Sequence, residues 1–215
     1  MFETIRPFLK GNILEAGSGT GNISEYFLLN GFTITLSDTD EFYIEELKKK
    51  FSSSGNLGGV KNIDLQHDHF ATAYADLKGK FDTVVLLNVL EHLADDHAAI
   101  RNTEYLLNQN GRLVILTPAY TALYSRLDKE LGHYRRYTTG KLAALLQHNG
   151  FIPEKKFYFN ALGIAGWLYG KALKLKHIPA GEMKIYNQLT PLAKLIDKIV
   201  FNKAGLSAVI TGIKQ

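Results

Sequence analysis

The chain has 215 residues, 46% of them hydrophobic and 21% charged, with a formal net charge of +4. That length suits one domain with a full core, the composition is that of an ordered globular protein, and the lack of cysteine excludes disulfides, thiolate metal sites and a cysteine nucleophile. The charge is uneven: residues 1–150 hold 15 Lys+Arg against 18 Asp+Glu, and residues 151–215 hold 10 against 3, none of the ten being arginine.

The segment Met1–Pro7 has no basic stretch ahead of an apolar core, so no secretory signal is expected and a cytoplasmic location is the default. A strand at 12–16 runs into Gly17-Ser18-Gly19-Thr20-Gly21, and a helix is predicted at 22–29. Glycine at every second position removes Cβ atoms where a turn is tight and a ligand must approach the backbone. The helix that follows offers unpaired N–H groups. A dinucleotide fingerprint wants G-x-G-x-x-G; here Asn22 stands three after Gly19, and the third glycine falls early, at Gly21.

A second strand at 32–37 ends at Ser37-Asp38-Thr39-Asp40. A carboxylate about twenty residues past a glycine loop suits ribose hydroxyls. Asp38 is the choice for that role, while Asp40 reads as the N-cap of a helix at 40–51. Ser52 to Gly59 reads as a connecting loop. After a strand at 60–65 comes His67-Asp68-His69-Phe70. Histidines at i and i+2 cannot both ligate from one helix face, and no second cluster follows nearby, so no metal is expected.

A fourth strand at 82–88 leads into Asn88-Val89-Leu90-Glu91-His92-Leu93. His92 titrates near neutral pH and is a base candidate, although a Glu-His pair here also suits ordering of the loop. A helix at 95–108, strands at 111–117 and 151–158, a helix at 139–148 and a strand at 206–213 complete the alternation. Asn30-Gly31, Asn110-Gly111 and Asn149-Gly150 read as three helix stops. Strand–helix alternation of this kind predicts a doubly wound sheet with ligands at the carboxyl ends of its strands.

The pattern E-x-G-x-G-x-G at Glu15–Gly21 is followed in order by Asp38, the segment after the third strand, Asn88–Leu93 and Gly111–Pro118. Over residues 10–160 this resembles the class I S-adenosylmethionine-dependent methyltransferases. The resemblance implies an α/β, doubly wound, Rossmann-like sheet of seven mostly parallel strands with a final antiparallel strand, here 206–213. It implies S-adenosylmethionine as cofactor, with contacts expected from Glu15, Gly17, Ser18, Gly19, Gly21, Asp38, Thr39, Asp68, His69, Asn88 and Val89. Asp68 would take the adenine amino group, and a main-chain carbonyl near Asn88 the methionine amino group.

Tyr120 to Tyr137 is dense in groups able to meet an anionic or aromatic substrate, and its Gly-His-Tyr-Arg-Arg-Tyr stretch resembles a bacterial subgroup near the ubiquinone-biosynthesis O-methyltransferases. His133 and His92 are the catalytic candidates; Tyr120, Tyr134, Arg135 and Arg136 are the acceptor-side candidates. Tyr137-Thr138 leads into and caps the 139–148 helix. Residues 119–137 and 157–204 are expected to form lid elements of a single domain spanning 1–215. The apolar run 157–170, followed by Lys171, Lys174 and Lys176, is too short to span a bilayer. It suits an interfacial or lid helix, with Trp167 beside anionic headgroups, or a core or dimer contact. A last helix, capped by Thr190-Pro191, places Leu192, Leu195, Ile196 and Ile199 on one face.

The expected reaction is methyl transfer to oxygen or nitrogen of a small-molecule or lipid-linked acceptor. No Pro-Pro-Tyr type element follows the fourth strand, and the basic C-terminal part lacks arginine, so nucleic acid is not expected. Peripheral membrane contact and a homodimer both fit the apolar run. The alternatives are a Rossmann-type NAD-dependent oxidoreductase and a non-catalytic S-adenosylmethionine-binding protein.

Overall fold

The computed structural model describes residues 1–172, 196–197, 199–200 and 202–215. In chain order its elements are α1 (Phe2–Ile5), β1 (Ile13–Ala16), α2 (Ser24–Leu29), β2 (Ile34–Asp38), α3 (Glu41–Lys50), β3 (Leu57–Asn62) and α4 (Phe70–Ala73). They continue with β4 (Phe81–Leu87), α5 (Asp96–Leu106), β5 (Leu107–Pro118), α6 (Arg126–Glu130), α7 (Thr139–His148), β6 (Phe151–Phe159), α8 (Ala161–Ala172) and β7 (Ser207–Lys214). One seven-stranded sheet runs in the order β3-β2-β1-β4-β5-β7-β6. Pairing is parallel from β3 through to β5, and β7 slots antiparallel between β5 and β6. The Rossmann-like architecture with an antiparallel final strand is therefore the one expected.

Alternation along the strands supplies two cores. On one face Leu14, Val84, Leu86, Leu113 and Ile115 pack with Ile100 of α5 and Leu142 and Leu146 of α7. On the other, Ile13, Val85, Val114 and Leu116 meet Phe27 of α2, Leu47 of α3 and Phe2 and Ile5 of α1. Strand order reverses at β1, whose neighbours are β2 and β4. The crevice at such a switch point, beyond the carboxyl ends of the strands, is where ligands bind in open α/β sheets.

Two local expectations need correction. Gly31 (φ +77°) and Gly150 (φ +83°) do end α2 and α7, but Asn110, itself at φ +62°, lies inside β5. There α5 stops at Leu106, and the Asn-Gly pair turns within a strand whose register with β4 is irregular between Phe81 and Thr83. The third strand begins at Leu57, so the latter part of the expected 52–59 loop belongs to the sheet. Gly58 fits because a Cβ there would lie 2.8 Å from the Thr35 hydroxyl of β2. Of the helix read at 190–199, Thr190, Pro191, Leu192 and Leu195 lie outside the described residues; Ile196 is helical, and Ile199 is exposed.

Candidate active site

The turn after β1 is held from behind by β2. Gly17 and Ser18 donate their N–H groups to the Ser37 carbonyl at 2.9 and 2.8 Å. Gly19 N–H donates to Asp38 Oδ2 at 2.8 Å, and the other carboxylate oxygen accepts from the N–H groups of Thr39 and Asp40 at 2.8 and 3.1 Å. Asp38 thus shapes the glycine loop as well as facing the crevice, and Asp40 caps α3 by accepting from Phe42 N–H.

All three glycines are left-handed, at φ +74°, +52° and +72°, each for its own reason. A Cβ on Gly17 would come within 2.5 Å of Val89 Cγ2, so the loop meets the segment after β4 directly. A Cβ on Gly21 would strike Phe51 and Leu47, so that residue lets the start of α2 close on α3. At Gly19 nothing among the described residues lies within 4 Å of the Cβ position. That open face, beside Asp38 and between the β1 and β4 loops, fits a nucleoside-bearing cofactor approaching bare backbone. Asn88 is exposed at φ +56°, pinned by its N–H to the Leu116 carbonyl at 2.8 Å.

Glu15 stands behind this loop rather than on its surface. It is 3% exposed, and its Oε2 accepts from the Ser24 hydroxyl, tying β1 to the start of α2. Burial pushes its carboxyl up to about 7, against the opposing bonds from Ser24 and Ser18.

Asp68 and His69 are exposed, and His69 donates its N–H to His67 Nδ1 at 3.1 Å at the head of α4. β3 ends at Asn62, so the acid next to the sheet edge is Asp64, two residues beyond it. Asp64 accepts from Gln66 N–H at 2.8 Å, while its own N–H meets the Tyr74 hydroxyl at 2.9 Å. The sequence pattern places Asp64 inside a strand at 60–65 and so does not single it out.

Beyond Val89 a second group gathers. Glu91 is fully buried; its Oε2 accepts from the Thr117 hydroxyl of β5 at 3.0 Å, and Oε1 has no hydrogen-bond partner among the described residues. Burial pushes this carboxyl up to about 7. The His92 ring stands edge-on to His133 with centroids 4.7 Å apart. Burial, and then the neighbouring His133 charge, lower the His92 pKa. His133 Nδ1 lies 3.0 Å from Oδ1 of Asp128, a fully buried residue of α6. The same oxygen accepts from Arg136 Nε at 2.7 Å, and Oδ2 accepts from Ser125 N–H at 2.8 Å. Burial works against the Asp128 charge, but the bonds from His133 and Arg136 outweigh it and hold the carboxyl below its usual range. Both expected histidines therefore meet; Glu91, read from the sequence as part of a loop-ordering Glu-His pair, and Asp128, which the sequence pattern did not single out, organise them.

The acceptor-side candidates divide. Arg136 is 2% exposed, bonded to Asp128 and to the Ala119 carbonyl at 3.2 Å, with its guanidinium 4.0 Å from the Trp167 ring centre. Its guanidinium is engaged within the protein and braces the 119–137 segment. Arg135 pairs with Asp96 at 3.0 Å and donates to the Ala94 carbonyl at 2.6 Å, bordering a cavity of about 470 Å³ shared with His97, Lys141 and His148. Tyr134 is exposed, and Tyr120, at φ +61°, stacks on Tyr158 at 4.8 Å. Trp167 also corrects an expectation. Its Nε1–H donates to the Leu123 carbonyl at 3.0 Å, so α8 turns it onto the 119–137 segment and not outward to headgroups. Asp197 fixes that helix by accepting the N–H groups of Asn160 and Ala161 at 3.0 and 2.7 Å.

The profile of the methyltransferase-domain family matches residues 2–155. A mitochondrial ubiquinone biosynthesis O-methyltransferase from Schizosaccharomyces pombe is 32% identical over 167 residues, covering 74% of this chain and 60% of that protein. A ubiquinone biosynthesis O-methyltransferase from Xanthomonas euvesicatoria pv. vesicatoria is 30% identical over 66% of this chain and 63% of its own length. The chain thus spans less than two thirds of these relatives. Among solved structures, a SAM-dependent methyltransferase from Archaeoglobus fulgidus superposes with a TM-score of 0.65 at 19% identity, covering 99% of this chain and 91% of that one, a likeness of fold.

Proposed function

The chain belongs to the methyltransferase-domain family, and we propose that it transfers the methyl group of S-adenosylmethionine to an oxygen or nitrogen of a small-molecule or lipid-linked acceptor. The observation that carries the reading is the adjacency of two groups. Gly17, Gly19, Asp38 and Asn88 frame the cofactor crevice, and Val89, packed on Gly17, is followed at once by the Glu91–His92–His133 cluster.

S-adenosylmethionine supplies an already electrophilic sulfonium methyl, so the protein contributes mainly position. Asp38 orients the glycine loop and keeps carboxylate capacity for ribose hydroxyls; Asp64 is the better placed acid for the adenine side. The Asp128 carboxylate holds His133 Nδ1, which leaves Nε2 to meet the acceptor. His92, exposed beside it, is the second imidazole at that mouth.

No helix among the described residues is long and apolar enough to cross a membrane, so a lipid-linked acceptor would be met at a surface. Calorimetry with S-adenosylmethionine, S-adenosylhomocysteine and NAD tests the cofactor. Micromolar binding of the first two with silence toward NAD is expected; the reverse pattern overturns the reading. Turnover with hydroxylated or amine acceptors then separates an enzyme from a protein that only binds the cofactor.

A further inference from the structure

We propose that Glu91, His92 and His133 form a binding site for one divalent transition-metal ion of the zinc class, closed on one side by the lid. Each residue presents one ligand atom, and the three atoms lie within 4.8 Å of one another. Ligand pairs around a tetrahedral ion with bonds of about 2.0 Å are about 3.3 Å apart, so small side-chain rotations complete the set. Two imidazoles and one carboxylate, with a position left open, is the donor pattern of catalytic rather than structural zinc sites.

Two independent features point to a cation. The first is Glu91 Oε1, a buried carboxylate oxygen without a partner among the described residues, beside an Oε2 already engaged by Thr117. A buried polar atom is normally satisfied, and one left open costs free energy unless a ligand meets it. The second is the support behind His133. Asp128 holds its Nδ1 and is itself locked by Arg136 and Ser125, which fixes the ring and leaves Nε2 as the donor. Carboxylate–histidine–metal relays have this construction.

Glu91 and His92 are adjacent but His133 lies far along the chain, which is why no metal spacing was legible. Folding joins them through a backbone bond: Tyr134 N–H donates to the Glu91 carbonyl at 2.8 Å. His67 and His69, the pair weighed from the sequence, instead bond each other locally. An ion here would bind an acceptor hydroxyl and favour its ionised form, the proton passing to water. That use rests on the methyl-transfer reading; binding of the ion does not.

The test is titration of zinc chloride into chelator-treated full-length protein, with cobalt(II) as a spectroscopic probe. One ion per chain is expected, with the visible absorption of low-coordinate cobalt. His92→Asn and His133→Asn should each weaken zinc at least tenfold, and Asp128→Asn by about 10–100-fold through the relay. S-adenosylhomocysteine affinity and melting temperature, measured without metal on the same variants, show that they fold. Absence of zinc and cobalt binding in the folded wild type overturns the proposal, as does undiminished binding in both histidine variants. Either result leaves the family reading intact, since that reading stands or falls on S-adenosylhomocysteine.

Discussion

Tyr134 N–H and the Glu91 carbonyl, 2.8 Å apart, join the 119–137 segment to the segment after β4 through main chain alone. The two histidines of the site sit next to this bond, His92 after Glu91 and His133 before Tyr134. Their rings can be changed without cutting the tether.

His133→Ala is therefore expected to keep S-adenosylhomocysteine affinity, because its side chain contacts Asp128 and His92 and none of the glycine loop. Turnover should fall by about 10²-fold or more, the usual contribution of a positioned proton-handling group. Parallel calorimetry and methyl-transfer assays decide. A matching loss of cofactor affinity would move His133 from the acceptor to the cofactor.

Asp38→Ala should weaken S-adenosylhomocysteine by about 1.5–3 kcal/mol, the range for hydrogen bonds to a charged group. Part of that loss is indirect, since Asp38 also accepts from Gly19, Thr39 and Asp40. Asp64→Ala tests the adenine side separately. Unchanged dissociation constants in either folded variant remove that residue from the site.

Periodicity and turn chemistry carried much of this architecture, and the reasons it failed elsewhere are local. The 139–148 helix was legible at both ends because Thr138 caps it and Gly150 follows its stop. Asn110-Gly111 looked identical to the true stops, yet it bends a strand, since pairing with β4 outweighs a local signal. Of the lid motif, the residue types were readable and their directions were not. Arg135 and Arg136 are neighbours, but one is buried against Asp128 and the other faces Asp96. Only tertiary contacts distinguish them. Asp128 gave no sign of its role, because its partners lie on the far side of a turn.

Stability should depend on pH through Glu15. Its folded carboxyl titrates at about 7 against an ordinary 4.5, so the folded state holds the proton more tightly. The stability it contributes is fully present below about 4.5 and is lost as pH rises through about 7, a swing of roughly 3 kcal/mol. Glu15→Gln keeps an acceptor for the Ser24 hydroxyl and has no charge to bury. It should be more stable than the wild type at pH 8 and similar to it at pH 4.5. Urea unfolding at the two pH values checks this, and an equal difference at both would show that Glu15 does not titrate between them.

Arg136→Met should lower stability by about 3–5 kcal/mol, the loss seen when one partner of a buried ion pair is removed, because Asp128 then stays buried with less compensation. Double replacement with Asp128→Leu should recover part of that loss, since two apolar groups leave no orphan charge. Denaturant melts of the single and double variants give the coupling directly. Purely additive losses would mean the pair contributes nothing as a pair.

The single tryptophan reports on the lid and tests membrane contact in one experiment. Trp167 is bonded to Leu123 and lies over Arg136, so it is already sheltered by protein. On the same helix Leu168 and Tyr169 are 49% and 58% exposed and face outward. If α8 contacts anionic vesicles, the insertion is made by these two residues, with the basic C-terminal part adding an electrostatic share that weakens as salt shortens the Debye length to about 8 Å. Co-sedimentation with anionic vesicles should then fall on Leu168→Ser or Tyr169→Ser, while Trp167 emission keeps its position because its ring has no need to move. A marked blue shift of Trp167 on vesicle addition would mean that the lid contact opens at the membrane. Absence of binding to anionic vesicles at low salt would instead leave Leu168 and Tyr169 as a surface for a second copy of the chain, which concentration-dependent sedimentation would then reveal.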